Sequence, residues 1–171
     1  MGIRNVICAA SLAAFAFSAA PASAATPPTQ AAGQALILIP LTLTKIQDLD
    51  FGSIVPSPVS GVVTINATTG NRTFAGGVTL VPGDAGFRAD FGGAGSPNQQ
   101  VIMTMNAPAQ LISGAGDTID VLALTMDGPA IRTVDATTRA FFVGVGGTIQ
   151  IAANQPEGDY NALFDITANY Q

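Results

Sequence analysis

The chain of 171 residues is long enough for one domain with its own hydrophobic core. It contains no histidine, no tryptophan and one cysteine, which excludes Ser-His-Asp and Cys-His catalytic sites and the usual His and Cys sites for transition metals. Its net charge of −5 argues against nucleic acid and anionic membrane surfaces as partners, since both require clustered Lys or Arg.

Residues 1–24 predict a secretory signal peptide. Arg4 precedes a largely apolar run over residues 6–17, and small residues at 22–25 favour cleavage after Ala24. The run is too short to span a bilayer comfortably, so we expect export and no membrane insertion after cleavage. Cys8 lies inside this leader, and the mature chain therefore has no cysteine with which to form a disulfide.

Residues 25–34 predict a flexible N-terminal arm, and residues 35–44 (ALILIPLTLT) predict a β-strand. Pro40 restricts that strand to a sheet edge or a bulge, because it lacks a backbone N–H. Two interpretations stay open. The stretch is an ordinary first strand, or the arm and its first residues form a donor strand for a neighbouring subunit; the candidate donor residues are Leu36, Ile37, Leu38 and Ile39.

The middle of the chain predicts a series of short strands separated by turn residues. They cover residues 53–55, 61–66, 78–81, 86–91, 100–106, 119–126, 140–145 and 148–151, with a loop at 92–98 and a bulge or bend at 146–147. Roughly nine strands and no helical stretch after the leader predict an all-β fold for residues 35–171. We expect a two-sheet antiparallel Ig-like β-sandwich, with a barrel as the alternative.

The last fourteen residues alternate strictly enough to predict a half-buried terminal strand. One face carries Tyr160, Ala162, Phe164, Ile166, Ala168 and Tyr170, and the other face is polar except for Leu163. Such a strand is either a normal paired terminal strand or one that borders a gap filled by another polypeptide.

Gly158, at the fourteenth position from the C-terminus, and the penultimate Tyr170 resemble the chaperone-binding end of bacterial chaperone–usher pilins. That resemblance implies an Ig-like fold lacking its last strand. A periplasmic chaperone lends the strand first, and the N-terminal arm of the next subunit then replaces it. The implied partners are a pilus chaperone, an usher and further copies of the subunit, in the periplasm and then at the cell surface. The implied partner-strand residues are Gly158, Tyr160, Phe164, Ile166 and Tyr170.

Other landmarks resemble a family of exported bacterial domains of unknown function. They are the sequences IPL at residues 39–41, LDFG at 49–52, FVGVGGTI at 142–149 and NQPEGDY at 154–160. The resemblance covers nearly the whole mature chain. The absent cysteine pair is a departure from many pilins.

The acidic residues border turns and form no recognisable catalytic pair, so we expect no enzyme, no catalytic residue and no cofactor. The sequence GAGDTID at residues 114–120 lacks the alternating oxygen ligands of a calcium loop, and we expect no metal site. The expected function is a structural subunit of a surface polymer built by donor-strand exchange. The alternative is a monomeric secreted β-sandwich that binds carbohydrate or another envelope component, which the scarcity of aromatic residues disfavours.

Overall fold

A computed structural model describes residues 28–171, and the predicted signal peptide and its cleavage site lie outside the described residues. The chain divides into two compact units, Met1–Ala35 and Leu36–Gln171. Residues 28–35 of the first unit form no helix or strand. The second unit contains all the strands that the described residues form.

Within residues 28–171 the fold is all-β, and the eleven strands form two antiparallel sheets of eight and three strands. The predicted fold class is confirmed. The strands are β1 (Thr42–Gln47), β2 (Ile54–Ile65), β3 (Arg72–Leu80), β4 (Ala89–Ala94), β5 (Gln100–Asn106), β6 (Gln110–Ser113), β7 (Thr118–Met126), β8 (Ile131–Thr133), β9 (Ala140–Ile151), β10 (Tyr160–Asn161) and β11 (Asp165–Tyr170).

The large sheet is organised around β9 and has the order β1-β4-β9-β7-β6-β10. The first half of β9 pairs with β4, its second half pairs with β2, and β7 pairs along its other side. β3 extends the sheet beyond β2. The change of partner falls at Gly146 and Gly147, where side chains have no room: a Cβ on Gly147 would lie 2.6 Å from Leu124 Cδ2.

The small sheet has the order β11-β5-β8. It packs against the part of the large sheet that is formed by β4 and the first half of β9. Core cluster 1 joins the two sheets through buried residues of β4, β5 and β9, including Phe91, Met103 and Val143. Phe164 packs edge-on against Phe91 with ring centroids 6.1 Å apart.

Core cluster 2 lies on the second half of the large sheet, around Val63, Ile119 and Ile149. Among the described residues, no strand of the small sheet contributes to it. Its cover comes instead from half-buried side chains such as Phe51 and Tyr160. The sandwich is therefore complete at one end and thin at the other.

Several predicted elements differ from the structure. The strand predicted at 78–81 begins earlier, as β3 (Arg72–Leu80). The strand predicted at 86–91 is β4 (Ala89–Ala94) and extends into the predicted loop at 92–98. The strands predicted at 140–145 and 148–151 are one strand, β9, with no bend between them.

β1 begins at Thr42, so residues 35–41 are not in a strand. β2 runs through Pro56 and Pro58, because a bulge between Pro56 and Gly61 removes that stretch from the ladder with β3. The terminal strand is two strands: β10 pairs with β6 in the large sheet and β11 pairs with β5 in the small one. At the break between them, Leu163 is 95% exposed.

Candidate functional site at the open edge of the small sheet

β11 pairs with β5 on one side, and no described strand pairs with its other side. The N–H of Gln171 donates to the carbonyl oxygen of Gln100 at 3.0 Å. Because the hydrogen-bonding direction alternates along an antiparallel pair, the backbone groups of Ile166, Ala168 and Tyr170 point to the unpaired side. We call this side the open edge. It presents three N–H groups and three C=O groups to an incoming strand.

One face of β11 is packed in the core, and the other face is polar and exposed. The side chains of Ile166, Ala168 and Tyr170 pack against core cluster 1. On the outer face the hydroxyl oxygens of Thr104 and Thr167 lie 2.6 Å apart and link β11 to β5. This contact adds a side-chain link between β11 and β5, while the other side of β11 remains unpaired among the described strands.

A cavity of about 730 Å³ lies close to the start of β11. Its apolar floor is formed by residues of β7 and β9, namely Ile119, Val121, Ile149 and Ile151, on the thinly covered half of the large sheet. Gly158, Tyr160 and Phe164 also line it. Phe164 immediately precedes β11 and also packs against cluster 1. We refer to the cavity and the open edge together as the groove.

One wall of the cavity is the compact turn that leads into β2. Arg72 pins this turn, donating from Nη1 to the carbonyl oxygen of Phe51 at 2.7 Å and from Nη2 to that of Val81 at 2.9 Å. Gly52 has a φ of +65°, and a Cβ there would lie 2.6 Å from the Asp84 carbonyl oxygen. The turn therefore needs glycine at this position.

The rim of the cavity is acidic. Asp50, Asp84, Glu157 and Asp159 line it, and no Lys or Arg of the described residues does. The Asp84 carboxylate accepts hydrogen bonds from the Ser53 hydroxyl at 2.7 Å and the Ser53 N–H at 2.8 Å. These bonds, with a smaller contribution from the Arg72 charge, hold the pKa of Asp84 below its ordinary value.

A model of the family named domain of unknown function DUF4402 matches residues 41–170. The chain belongs to the DUF4402 family. The matched range includes every strand of the domain and every residue that lines the cavity. The expected membership in a family of domains of unknown function is confirmed, and the match carries no link to pilins. No curated protein and no solved structure matched the sequence.

The structure of this DUF4402 domain brings together some of the predicted partner-strand residues. Gly158, Tyr160 and Phe164 line the cavity, while Ile166 and Tyr170 lie further along β11 with their side chains in cluster 1. The cavity floor on β7 and β9 and the wall that contains Phe51 were not predicted from the sequence. Their residues were predicted to lie in strands and a turn, but only the pairing of β7 with β9 shows that the floor residues meet.

The candidate donor residues of the DUF4402 chain lie just before the matched range. Leu36 and Ile37 are 74% and 93% exposed, Ile39 is 44% exposed, and Leu38 is half-buried. None of the four is in a strand, and the side chains of Leu36, Ile37 and Ile39 are exposed to solvent.

Two kinds of feature are absent from residues 28–171: a metal-binding cluster and a membrane-spanning helix. They contain no group of three or more His, Cys, Asp or Glu side chains arranged to hold a metal ion. They also contain no helix of the length and hydrophobicity needed to cross a membrane.

Proposed function

We propose that this DUF4402 domain is a structural subunit of a bacterial surface polymer, joined to its neighbours by strand addition at the open edge of β11. The carrying observation is that one side of β11 is unpaired among the described strands while exposed aliphatic residues precede β1. Backbone groups of β11 hold the incoming strand, and alternate side chains of that strand enter the groove.

Comparison of the edge strands supports β11 as the acceptor. Edge strands normally carry devices against pairing with other chains, such as lysine, bulges or short length. β1 carries Lys45 and a bulge, and β8 and β10 have only three and two residues. β3 is a longer edge strand, but its pairing with β2 is interrupted between Pro56 and Gly61. β11 has six residues in regular register, and its one charged residue, Asp165, is the first of the strand.

The donor proposed is residues 36–39 of a second copy, with the arm before them. In an extended strand only alternate side chains face the groove, so Leu36 and Leu38, or Ile37 and Ile39, enter together. Burying two such side chains contributes about 3–6 kcal/mol before the cost of ordering the arm. Residues 25–39 carry no charged side chain, so the acidic rim of the cavity does not repel them.

This function also implies export and a periplasmic chaperone. An open edge of this kind promotes aggregation, so a periplasmic chaperone that covers β11 before assembly is a proposed partner, together with an usher. The leader predicted over residues 1–24 is consistent with that route.

The test is size-exclusion chromatography with light scattering on the exported protein, with and without residues 25–38. The double variant Leu36→Asp with Ile37→Asp places a charge on whichever face of the donor enters the groove. Leu122→Asp is the control because Leu122 is also an exposed aliphatic residue but lies on β7. We expect detergent-resistant oligomers in the native protein and the control, and monomers in the other two. Monomers in all four would refute the proposal and leave the monomeric secreted binding module as the function to pursue.

A further inference from the structure

Three hydrogen bonds tie the start of the domain to its end. The Tyr170 hydroxyl donates to the carbonyl oxygen of Ile39 at 2.9 Å and accepts from the N–H of Ser96 at 2.6 Å. The N–H of Ile39 donates to the Ser96 hydroxyl oxygen at 2.9 Å. We call this closed ring of three residues the Tyr170 clasp. It joins segments far apart in the sequence at the C-terminal end of β11.

The clasp is built into packed surroundings. Ser96 is buried, and the Tyr170 ring packs against core cluster 1. A Cβ on Gly95 would lie 2.7 Å from the Tyr170 hydroxyl oxygen and 2.8 Å from Leu41 Cδ1, so a side chain at this position would displace the Tyr170 hydroxyl or the Leu41 side chain. Within residues 36–40 the hydrogen bonds that the structure records are both at Ile39, next to a proline that has no N–H.

The clasp limits what the donor segment can do within its own chain. Leaving Ile39 toward the N-terminus, the segment would have to run back from Tyr170 toward Ile166 to fill its own groove, which makes self-pairing parallel. Parallel pairing is slightly less stable per residue than antiparallel pairing. Both backbone groups of Ile39 are already bonded to side chains, and Pro40 cannot donate. While the clasp is closed, Ile39 and Pro40 are therefore withdrawn from any ladder, and the backbone of a donor strand is limited to residues 36–38 and the arm before them.

We propose that Tyr170 is a positioning residue: its clasp fixes where the donor segment leaves the domain and keeps that segment out of its own groove. Strand addition then occurs between copies. The intermolecular partner rests on the function proposed above, but the restriction on self-pairing rests on the clasp geometry alone. The exposure of Ile37, 93%, agrees with a donor segment directed away from the groove.

The experiment distinguishes pairing within a chain from pairing between chains. Ile37→Cys and Asn169→Cys, in a Cys8→Ser background, place one thiol on the donor segment and one on the outer face of β11. Equal amounts of ¹⁴N- and ¹⁵N-labelled full-length protein are mixed in denaturant, refolded and assembled together, and then treated with a bifunctional maleimide. Mass spectrometry then measures what share of the crosslinks between positions 37 and 169 are isotopic hybrids, since hybrids form only between chains.

Tyr170→Phe removes the hydroxyl and keeps the ring, and Ser96→Ala removes the acceptor for Ile39. Thr104→Val is the control, because it removes a side-chain hydrogen bond of β11 on the opposite face. We expect a high hybrid share in the native background and the control. Loss of the clasp bonds lowers that share by about fivefold in Tyr170→Phe, with the same direction in Ser96→Ala.

The outcomes separate the two proposals. A hybrid share unchanged by both clasp variants overturns the positioning role while leaving assembly intact. Links confined to single chains in the clasp variants, with none in the native background, support the clasp and overturn assembly by residues 36–39. Absence of links in every variant overturns both, because releasing the clasp then brings nothing to β11.

Discussion

Replacing Ala168 with proline tests the open edge without breaking the sheet behind it. The Ala168 N–H points to the open side of β11, so proline there removes a donor that β5 does not use. An incoming strand would lose one hydrogen bond and leave its own carbonyl facing the ring. An unsatisfied buried acceptor costs about 1–3 kcal/mol. The association constant of copies should therefore fall by about 5- to 150-fold.

The matched variant is Thr167→Pro, one residue earlier. The Thr167 N–H points toward Thr104 in β5, so proline at this position breaks the ladder of the small sheet. We expect Ala168→Pro to unfold in urea close to the native midpoint. In light scattering over a dilution series, its oligomers should dissociate at a protein concentration about 5- to 150-fold higher than that of the native protein. Thr167→Pro should lower the urea midpoint clearly. A native dissociation concentration in Ala168→Pro, with a native urea midpoint, would show that copies do not meet at the open edge.

Three further predictions concern the groove and its walls. Phe164→Ala removes a half-buried ring from cluster 1 and should lower the free energy of unfolding by about 2 kcal/mol, measured by urea titration; a loss below about 0.5 kcal/mol, on the order of a surface change, would contradict its placement. Arg72→Gln removes the hydrogen bonds that the guanidinium donates to the carbonyl oxygens of Phe51 and Val81. It should lower the free energy of unfolding by about 2 kcal/mol or more and speed amide exchange in the turn that leads into β2. Because hydrogen bonds from Ser53 lower the pKa of Asp84, its contribution to stability is complete above the unfolded value near 3.8 and is lost as pH falls through the lower folded value. The urea midpoint should therefore drop as the pH falls below about 4, and Asp84→Asn should flatten that dependence; an unchanged slope would refute it.

Elements with a clear period of two were predictable from the sequence. β5 was predicted with its observed bounds, and β7 within one residue, since Val101 and Met103 alternate with polar or exposed neighbours. β6 and β8 were missed because four and three residues are too few to show a period. β2 was predicted as two strands, 53–55 and 61–66, because a bulge that accommodates proline depends on the partner strand.

The candidate site was predictable in its residues and not in its geometry. Alternation placed Tyr160, Phe164 and Tyr170 on one face, but it could not show that Leu163 marks a crossing between two sheets. The cavity floor depends on pairing between β7 and β9, which are separated by the whole of β8 and its flanking turns in the chain. The clasp joins positions 39 and 170, a separation at which local sequence patterns carry no information.

Because the large sheet is unevenly covered, a strand bound in the groove should also stabilise the fold of the domain. Cluster 1 is closed by the small sheet, whereas cluster 2 relies on half-buried side chains around the cavity. A strand that fills the groove binds the folded state and not the unfolded chain, so it stabilises the domain by about 2.7 kcal/mol at one hundred times its dissociation constant. The chain has no cysteine after Cys8, so no disulfide closes this end of the sandwich. On the proposed function a partner strand closes this end of the sandwich, and stability should therefore rise with protein concentration.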